Sequence, residues 1–316
     1  MSKIAIIGAI EGTSNRRLEK DYLLLVESLR RNAGVYKDVD IHLVQPTQFD
    51  ITHDIYNRLQ EIPGIYYHKI ETEYNQTSRE FNYTNKPIAC EWLYDNIGND
   101  YDYFLWIDGD VVILQELVIP EIKNDEIVYL YNNQFLHNET TPGYITHNST
   151  DFLTDKKLYY DLMSKAGELE ADLYTATNSW IIYASTKSPF WKEWNTKTRE
   201  YINFIQKEGA NNFAFYNKSK NFENRVEELT MDIVIKSSNL SQVLPERVHT
   251  FNNKDTEHID DYVEQYNTMA CMVHYDDITC VPEQSSNLNR YFTPVWLKAM
   301  IYKIYGADMY DTIYNK

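Results

Sequence analysis

The sequence is short of positive charge. Its 316 residues contain 30 Lys and Arg against 47 Asp and Glu, which gives a net charge of -17 at pH 7. Such a chain is a poor candidate for binding nucleic acid or an anionic membrane through its overall field. Long apolar runs are also missing: the N-terminal run, Ile4–Ile10, is too short for a membrane span and has no signal-peptide cleavage pattern. We therefore expect no nucleic-acid partner and no transmembrane segment.

Cysteine is sparse as well. The three cysteines, Cys90, Cys271 and Cys280, show no metal-ligand spacing. Cys271 and Cys280 could form a bridge, but so small a set favours reduced thiols and a cytoplasmic location. The chain also has no internal repeat and no Gly/Ser-rich linker, which favours one compact domain over residues 1–316. The oligomeric state stays open.

Strands and helices alternate through the first 115 residues. Short apolar runs predict buried strands, and apolar residues at helical spacing predict the helices between them. The strands are predicted at 4–10, 40–44 and 64–70, and the helices at 17–32, 52–60 and 85–94. Strand, helix and strand in this order form βαβ units, so the fold class is α/β with a Rossmann-like, mostly parallel sheet flanked by helices. Neither a dinucleotide fingerprint nor a P-loop is present.

The rest of the chain is less regular. Further strands are predicted at 127–131, 179–185 and 269–273, and further helices at 188–206, 223–237 and 293–305. The segment 132–150 has little periodicity and is predicted to be a long loop.

Two carboxylates interrupt an apolar stretch at Asp108-Gly109-Asp110. The run Tyr103–Ile107 reads as a buried strand that ends there, and Val111–Leu114 reads as a second short strand. Carboxylates at the end of a buried strand are costly unless a cation meets them, and their oxygens are the ligands that Mg²⁺ and Mn²⁺ prefer. We expect a metal site facing a phosphorylated ligand, with Gly109 allowing a turn and close approach. The alternative is a polar turn between the two strands, since Asp-Gly is a common hairpin signal.

His274 follows a later apolar run in the same way. Imidazole is a good partner to carboxylates around Mn²⁺, so His274 is a candidate third ligand. The alternative is an ordinary hydrogen-bonded or surface histidine.

Taken in order, these segments resemble the metal-dependent GT-A fold glycosyltransferases, and the layout is most similar to the glycogenin-like and lipopolysaccharide galactosyltransferase-like family. The matching segments cover most of the chain: Asn85-Lys86 with Trp92, FLWIDGDVVI at 104–113, TNSWIIYAS at 177–185, ELTMD at 228–232, LPERVHTFNN at 244–253 and MVHYDD at 272–277. The resemblance implies a nucleotide-binding half over 1–133 and an acceptor-binding half with a C-terminal helix over 134–316.

The resemblance also implies roles for single residues. The metal ligands would be Asp108, Asp110 and His274, binding Mn²⁺ or Mg²⁺ on the diphosphate of a sugar nucleotide, with a UDP-sugar as donor. Lys86 would contact phosphate or the donor sugar, and Asp108 would also lie near the ribose. The first loop, with Ala9, Thr13 and Asn15, would hold the nucleobase and ribose.

Two further residues would act at the donor sugar. By resemblance, Asn178 would contact that sugar and Asp232 would lie beside the reacting carbon, with a glycan or another hydroxyl compound as acceptor. The resemblance points to retention of anomeric configuration; in an inverting enzyme, Asp232 or Glu228 becomes the candidate general base. The ordinary alternatives are a solvated charge for Asp232, a turn or capping residue for Asn178 and a surface residue for Lys86.

Two other functions fit parts of the pattern. A phosphohydrolase of the haloacid dehalogenase type would use Asp108 and Asp110 with the later pair Asp276 and Asp277. Against it, a βαβ half precedes Asp108, and Val111 stands where a Thr is expected. A non-catalytic sugar-nucleotide binder would keep the site without turnover.

Overall fold

The computed structural model describes most of the first 113 residues and separate segments beyond them. The described residues are 2–10, 17–45, 51, 53–71, 84–113, 116–117, 119, 121–122, 125, 128–132, 164–166, 177–209, 212, 226–237, 241–243, 250–252 and 272–274.

Four parallel strands form the first half of a seven-stranded sheet. They are β1 (Ile4–Ala9), β2 (Asp40–Gln45), β3 (Ile65–Lys69) and β4 (Tyr103–Ile107), and they lie in the order β3-β2-β1-β4. Nearly all of the apolar residues that predicted β1, β2 and β4 are buried in the sheet, whereas the residues of β3 are half-buried or exposed. Each predicted boundary lies within one residue of the observed one. The predicted parallel βαβ arrangement is confirmed.

The second half of the chain completes this sheet. Strand β7 (Thr177–Ser185) pairs antiparallel with β4, and β6 (Val128–Asn132) pairs antiparallel with β7. Strand β8 (Ser241–Val243) then runs parallel to β6, so β7 alone opposes the other six strands. The mostly parallel central sheet that the sequence predicts is therefore observed, with one reversed strand inside it.

Helices cover both faces of the sheet. On one face lie α1 (Arg17–Asn32) and α2 (His53–Glu61), and on the other lie α3 (Asn85–Ile97), α4 (Phe190–Glu208) and α5 (Val226–Ser237). Strands β1 and β4 alternate their side chains between two apolar clusters; on β1, for example, Ile6 faces α1 and Ile7 faces α3. This two-faced burial explains the nearly continuous apolar runs in the sequence.

A small second sheet stands beside the first. Strand β5 (Val111–Ile113) pairs antiparallel with β10 (Met272–His274), which pairs in parallel with β9 (Thr250–Asn252). Because β4 and β5 lie in different sheets, Asp108-Gly109-Asp110 is a passage between sheets. It is a polar turn between two strands, as the alternative interpretation holds, but β4 and β5 do not pair with each other as a hairpin.

Some predictions lie outside the described residues. They are the C-terminal helix at 293–305, nearly all of the loop at 132–150, and Cys271 and Cys280. Cys90 is a buried free thiol. Within the segments described, no helix combines the length and apolar character needed to cross a membrane.

Candidate functional site

The Asp108-Gly109-Asp110 turn follows the carboxyl end of β4, and hydrogen bonds from α1 fix the strand that comes after it. The Ser28 hydroxyl accepts a hydrogen bond from the Ile113 amide at 3.0 Å, and the Asn32 side chain donates to the Ile113 carbonyl at 2.7 Å. On the other side, the amide of Asp108 donates to the Trp180 carbonyl of β7 at 2.9 Å. The backbone on both sides of the turn is therefore fixed by three hydrogen bonds to two elements, α1 and β7.

Tyr22 of α1 fills the space under the turn. A β-carbon built on Gly109 would lie 2.7 Å from Cδ2 and Cε2 of the Tyr22 ring, and one built on Gly8 would lie 2.7 Å from Cε1 and the hydroxyl oxygen. The ring thus lies between two glycine backbones, one in β1 and one in the turn. Among the described glycines, Gly109 is not one with positive φ. Glycine is required here by the contact with Tyr22 and not by the backbone angles.

Lys86 and Asp108 form an ion pair within the site. The Lys86 Nζ lies 2.7 Å from Asp108 Oδ2, although Lys86 is on α3 and Asp108 follows β4. The other carboxylate oxygen of Asp108 accepts a hydrogen bond from Trp106 Nε1 at 2.9 Å. The side chains of Lys86 and Asp108 are 11% and 14% exposed, so water screens their attraction only weakly.

Two further polar side chains reach the Lys86 ammonium. Lys86 Nζ donates to Ser179 Oγ at 2.9 Å, and Ser179 Oγ donates to Glu227 Oε1 at 3.0 Å. Glu227 itself lies 3.8 Å from Lys86 Nζ and is 2% exposed. Its Oε2 is buried with no hydrogen-bond partner among the described residues. Lys86 is thus surrounded by two carboxylates and a hydroxyl from three distant parts of the chain.

The electrostatics of this cluster favour a cationic Lys86. Burial by itself lowers the pKa of the ammonium, but the attraction of Asp108 and then of Glu227 outweighs burial and raises that pKa above its ordinary value. Burial raises the pKa of the Glu227 carboxyl well above its ordinary value, while Lys86 opposes this rise. Lys86 therefore carries a positive charge throughout the physiological pH range.

Two more buried groups of α3 lie close to Lys86 in sequence. Asn85 is 2% exposed, and both polar atoms of its side-chain amide lack a partner among the described residues. A buried amide without hydrogen bonds costs a few kcal/mol, roughly 1–3 in protein mutational data.

Burial raises the pKa of the Cys90 thiol well above its ordinary value, so Cys90 is a neutral thiol and a poor nucleophile.

The structure places the proposed metal ligands around the start of β5. Asp110 directly precedes Val111, and the backbone of His274 lies opposite Val111 in the antiparallel ladder. Strand pairing therefore brings His274 beside the turn that holds Asp108 and Asp110, across more than 160 residues of sequence. Among the side chains that the structure describes, no three acidic, His or Cys residues form a metal cluster, and the His274 side chain is not one of those described.

The remaining predicted residues are placed less completely. Ala9 ends β1, and since Ile7 pairs with Trp106, Ala9 is level with Asp108, the residue that follows the neighbouring strand β4. The backbone of Asn178 pairs with Tyr131 in the sheet, next to Ser179. Thr13, Asn15, Asp276 and Asp277 lie outside the described residues.

Asp232 is buried on α5, five residues after Glu227. Five residues correspond to about 140° around a helix and about 7.5 Å along it. Asp232 and Glu227 therefore do not share one face of α5, and the position of Asp232 beside a reacting carbon stays a prediction.

The residues present suit a divalent cation. A carboxylate offers about four lone-pair sites, and Trp106 and Lys86 each donate one hydrogen bond to Asp108. Both oxygens of Asp108 thus retain acceptor capacity, and Asp110 adds a second carboxylate one residue beyond Gly109. Oxygen ligands at a partly exposed edge are the set that Mg²⁺ and Mn²⁺ prefer.

Three groups of this site were not predicted from the sequence: Ser179, Glu227 and the Trp106 indole. The only sequence signal for Glu227 is an acidic residue in the first turn of a helix that is otherwise largely apolar, VEELTMDIVIKS. Ser179 and Trp106 stand in strands whose pattern predicts burial but no partner.

Several solved glycosyltransferases are similar in structure to this chain. The apo form of the WbbM bifunctional glycosyltransferase matches at 13% identity and a TM-score of 0.49, over 87% of this chain and 46% of that one. The apo glycosyltransferase GlyE of Streptococcus pneumoniae TIGR4 matches at 13% identity and 0.47, over 99% and 62%. Apo mouse xyloside xylosyltransferase 1 matches at 11% identity and 0.46, over 89% and 100%.

This chain spans about half the length of the first structure and less than two thirds of the second. No protein-family model and no curated protein matches the chain. With identities of 11 to 13% and TM-scores below 0.5, the activity rests on the residues of the chain itself, and the glycogenin-like placement stays a prediction.

Proposed function

We propose that this chain is a metal-dependent glycosyltransferase that moves a hexose from a UDP-sugar to a hydroxyl group of a glycan, with retention. The observation that carries the proposal is the Lys86–Asp108 pair, 2.7 Å apart, at the carboxyl end of β4. Ligands in open α/β sheets bind outside the carboxyl ends of the strands. A side-chain cation and carboxylates suited to a metal ion, held together there, match a diphosphate leaving group.

The proposed enzyme is one domain over residues 1–316, in which 1–133 binds the nucleotide and 134–316 binds the acceptor. We place it in the cytoplasm. The sparse cysteines of the chain, with Cys90 a buried free thiol, support that location.

In this proposal, the residues of the site have different roles at the leaving group. Asp108, Asp110 and His274 would hold Mn²⁺ or Mg²⁺, which supplies Lewis-acid neutralisation of the departing diphosphate when bound. Lys86 remains charged and donates hydrogen bonds to the same group. The Trp106 indole keeps the Asp108 carboxylate oriented.

The other assignments concern the donor itself. Ala9, Thr13 and Asn15 would hold the nucleobase and ribose, and Asn178 would contact the donor sugar. Asp232 would stabilise positive charge that develops on the sugar ring in the transition state.

Calorimetric titration of UDP into metal-free protein, with and without Mn²⁺, tests the proposal. We expect binding that depends on Mn²⁺ and that weakens at least about a hundredfold in Asp110→Ala, since a ligand carboxylate of the cation is lost. Asp54→Ala removes the same charge from the exposed side of α2 and serves as the matched control. UDP-hexose turnover with candidate glycans would then be assayed.

Three other results would change the conclusion. If UDP, GDP and CDP all fail to bind with or without Mn²⁺, the transferase proposal fails, and hydrolysis of phosphate esters favours the phosphohydrolase. If UDP binds but no donor is turned over with many acceptors offered, the chain is a non-catalytic binder. Equal affinities in Asp110→Ala and wild type remove Asp110 from the metal site.

A further inference from the structure

Lys86 is placed between two carboxylates that differ in their surroundings. Asp108 lies 2.7 Å away, is 14% exposed and follows the strand that leads into the proposed metal site. Glu227 lies 3.8 Å away on the far side of Ser179, is 2% exposed and comes from the first turn of α5. Only the first carboxylate is placed to share its oxygens with a bound cation.

A buried glutamate at this position is costly. Among the described residues its Oε2 has no hydrogen-bond partner, and a hydrophobic side chain of similar size would cost less free energy in such a place. The backbone around it is nevertheless firmly held: the Trp194 indole donates to the Glu227 carbonyl at 2.8 Å. Stability alone therefore does not explain why an acidic side chain is buried at this position.

Charge provides an explanation. When a divalent cation shares Asp108, the Lys86 ammonium next to it is repelled by two additional positive charges. Asp108 cannot then serve as the sole counter-charge for Lys86. Glu227 is within 3.8 Å of the Lys86 ammonium and is linked to it through the Ser179 hydroxyl. Burial favours the neutral acid, but the Lys86 charge and the Ser179 hydrogen bond favour the carboxylate, and as a carboxylate Glu227 can keep Lys86 in place.

We propose that Glu227 and Ser179 are positioning residues that hold Lys86 at the leaving-group site while Asp108 is shared with a divalent cation. This inference rests on the proposed function, because it requires that the site bind a cation and a nucleoside diphosphate. It adds that Glu227 acts through Lys86 and touches neither donor nor metal.

The test is a set of Glu227 variants measured by binding. The Mn²⁺ affinity of the UDP-bound protein is read from the electron paramagnetic resonance signal of free Mn²⁺, and UDP affinity is measured by calorimetry. We expect Glu227→Gln to weaken Mn²⁺ binding about tenfold, because Asp108 then remains the sole counter-charge of Lys86 and is less available to the cation. Glu200→Gln on α4, whose carboxylate is mainly exposed and pairs with Lys197, is the charge-matched control and should change affinity less than about twofold.

A comparison of Glu227→Asp with Glu227→Gln separates charge from shape. Gln preserves the size of the side chain and loses the charge, whereas Asp preserves the charge and loses a methylene group. If Glu227 acts as a counter-charge, Glu227→Asp should bind Mn²⁺ more tightly than Glu227→Gln does. If its role is purely structural, Glu227→Gln should bind Mn²⁺ more tightly than Glu227→Asp does. Ser179→Ala should weaken binding less than Glu227→Gln, because it removes a hydrogen bond without removing a charge.

A double-variant cycle tests whether Glu227 acts through Lys86. In a Lys86→Met background, Glu227→Gln should no longer weaken Mn²⁺ binding. The thermal midpoint of Lys86→Met should fall by about 6 °C, because Glu227 is left buried without its cation, and the added Glu227→Gln should recover part of that loss. Additive effects in either measurement overturn the inference.

The two levels of the proposal fail separately. If wild type binds neither UDP nor Mn²⁺, the proposed function fails and the inference falls with it. If wild type binds both and Glu227→Gln binds them equally well, only the role of Glu227 is wrong.

Discussion

Gly109→Ala is the substitution whose cost follows most directly from the geometry of the site. The new β-carbon would lie 2.7 Å from Cδ2 and Cε2 of the Tyr22 ring, far inside van der Waals contact. Tyr22 is 2% exposed, and a ring displaced from Gly109 meets the Gly8 backbone at its opposite edge. The strain therefore cannot be relieved by rotating one flexible side chain.

The magnitude can be bounded from known substitutions. Overpacking of a well-filled core costs about 1–3 kcal/mol of unfolding free energy. Replacing Gly by Ala adds about 0.4–1 kcal/mol to the free energy of unfolding, because it lowers the conformational entropy of the unfolded chain. We expect Gly109→Ala to lose about 1–2 kcal/mol, and to weaken Mn²⁺-dependent UDP binding because Asp108 and Asp110 move with the turn.

Urea denaturation gives the free energy of unfolding, and calorimetry gives the UDP affinity. Gly98→Ala is the matched control, since its β-carbon would lie 3.8 Å from the nearest atom, the Thr186 carbonyl oxygen, and Gly98 has helical φ and ψ angles of -56° and -29°. This control should be as stable as wild type or slightly more stable.

A second substitution identifies the source of the strain. In a Tyr22→Leu background the aromatic ring is absent, so Gly109→Ala should cost less than it does in wild type. If Gly109→Ala unfolds at the wild-type urea concentration and binds UDP with wild-type affinity, the Tyr22 contact does not shape the turn and the reasoning is wrong.

Three other predictions concern stability. Burial, followed by repulsion from His68, lowers the pKa of His42 to about 4, so the folded protein disfavours the proton that the unfolded chain binds below pH 6.5. The resulting stability is fully present above about pH 6.5 and is lost as pH falls through 4. The free energy of unfolding should fall by about 3 kcal/mol between pH 7 and pH 4. In urea titrations, His42→Gln should show a correspondingly flatter dependence of this free energy on pH. Ser28→Ala leaves the buried Ile113 amide without its acceptor and should cost about 1–3 kcal/mol in the same titrations, whereas an unchanged midpoint would show that Ser28 does not hold β5. Trp194→Phe removes the hydrogen bond to the Glu227 carbonyl, which also accepts one from Thr230, so a smaller loss of about 1 kcal/mol is expected, and a loss above about 3 kcal/mol would contradict this account.

The central strands could be predicted because both of their faces are buried. Ile4–Ala9 and Tyr103–Ile107 are apolar throughout, and the amphipathic helices between strands leave few other arrangements than a parallel sheet. The reversed direction of β7 could not be predicted, because the burial pattern of a central strand is the same in both directions. Strands β8 and β9 are three residues each, too short for any period to show.

The site was predictable in its parts but not in its connections. A carboxylate pair after a buried strand indicates a cation, and Lys86 was expected near phosphate by resemblance, yet nothing in the sequence shows that Lys86 and Asp108 pair with each other. Ser179 and Glu227 join them from 93 and 141 residues after Lys86, as the numbering shows. Contacts at such separations depend on the packing of α3, β7 and α5, which local patterns do not specify.

The position of the reversed strand has a consequence for how the protein is made. Strand β7 lies between β4 and β6, so β4 remains an open sheet edge during synthesis until residues 177–185 have left the ribosome. The pairing partner of Tyr103 is Ser185, and contacts of such long range slow folding because a large loop must close before they form. A nascent chain that ends near residue 130 would therefore expose an apolar strand edge that is prone to aggregation. We expect such truncated chains to need a chaperone, and Lys86 and Asp108 to acquire their remaining partners only when the chain is almost three quarters complete.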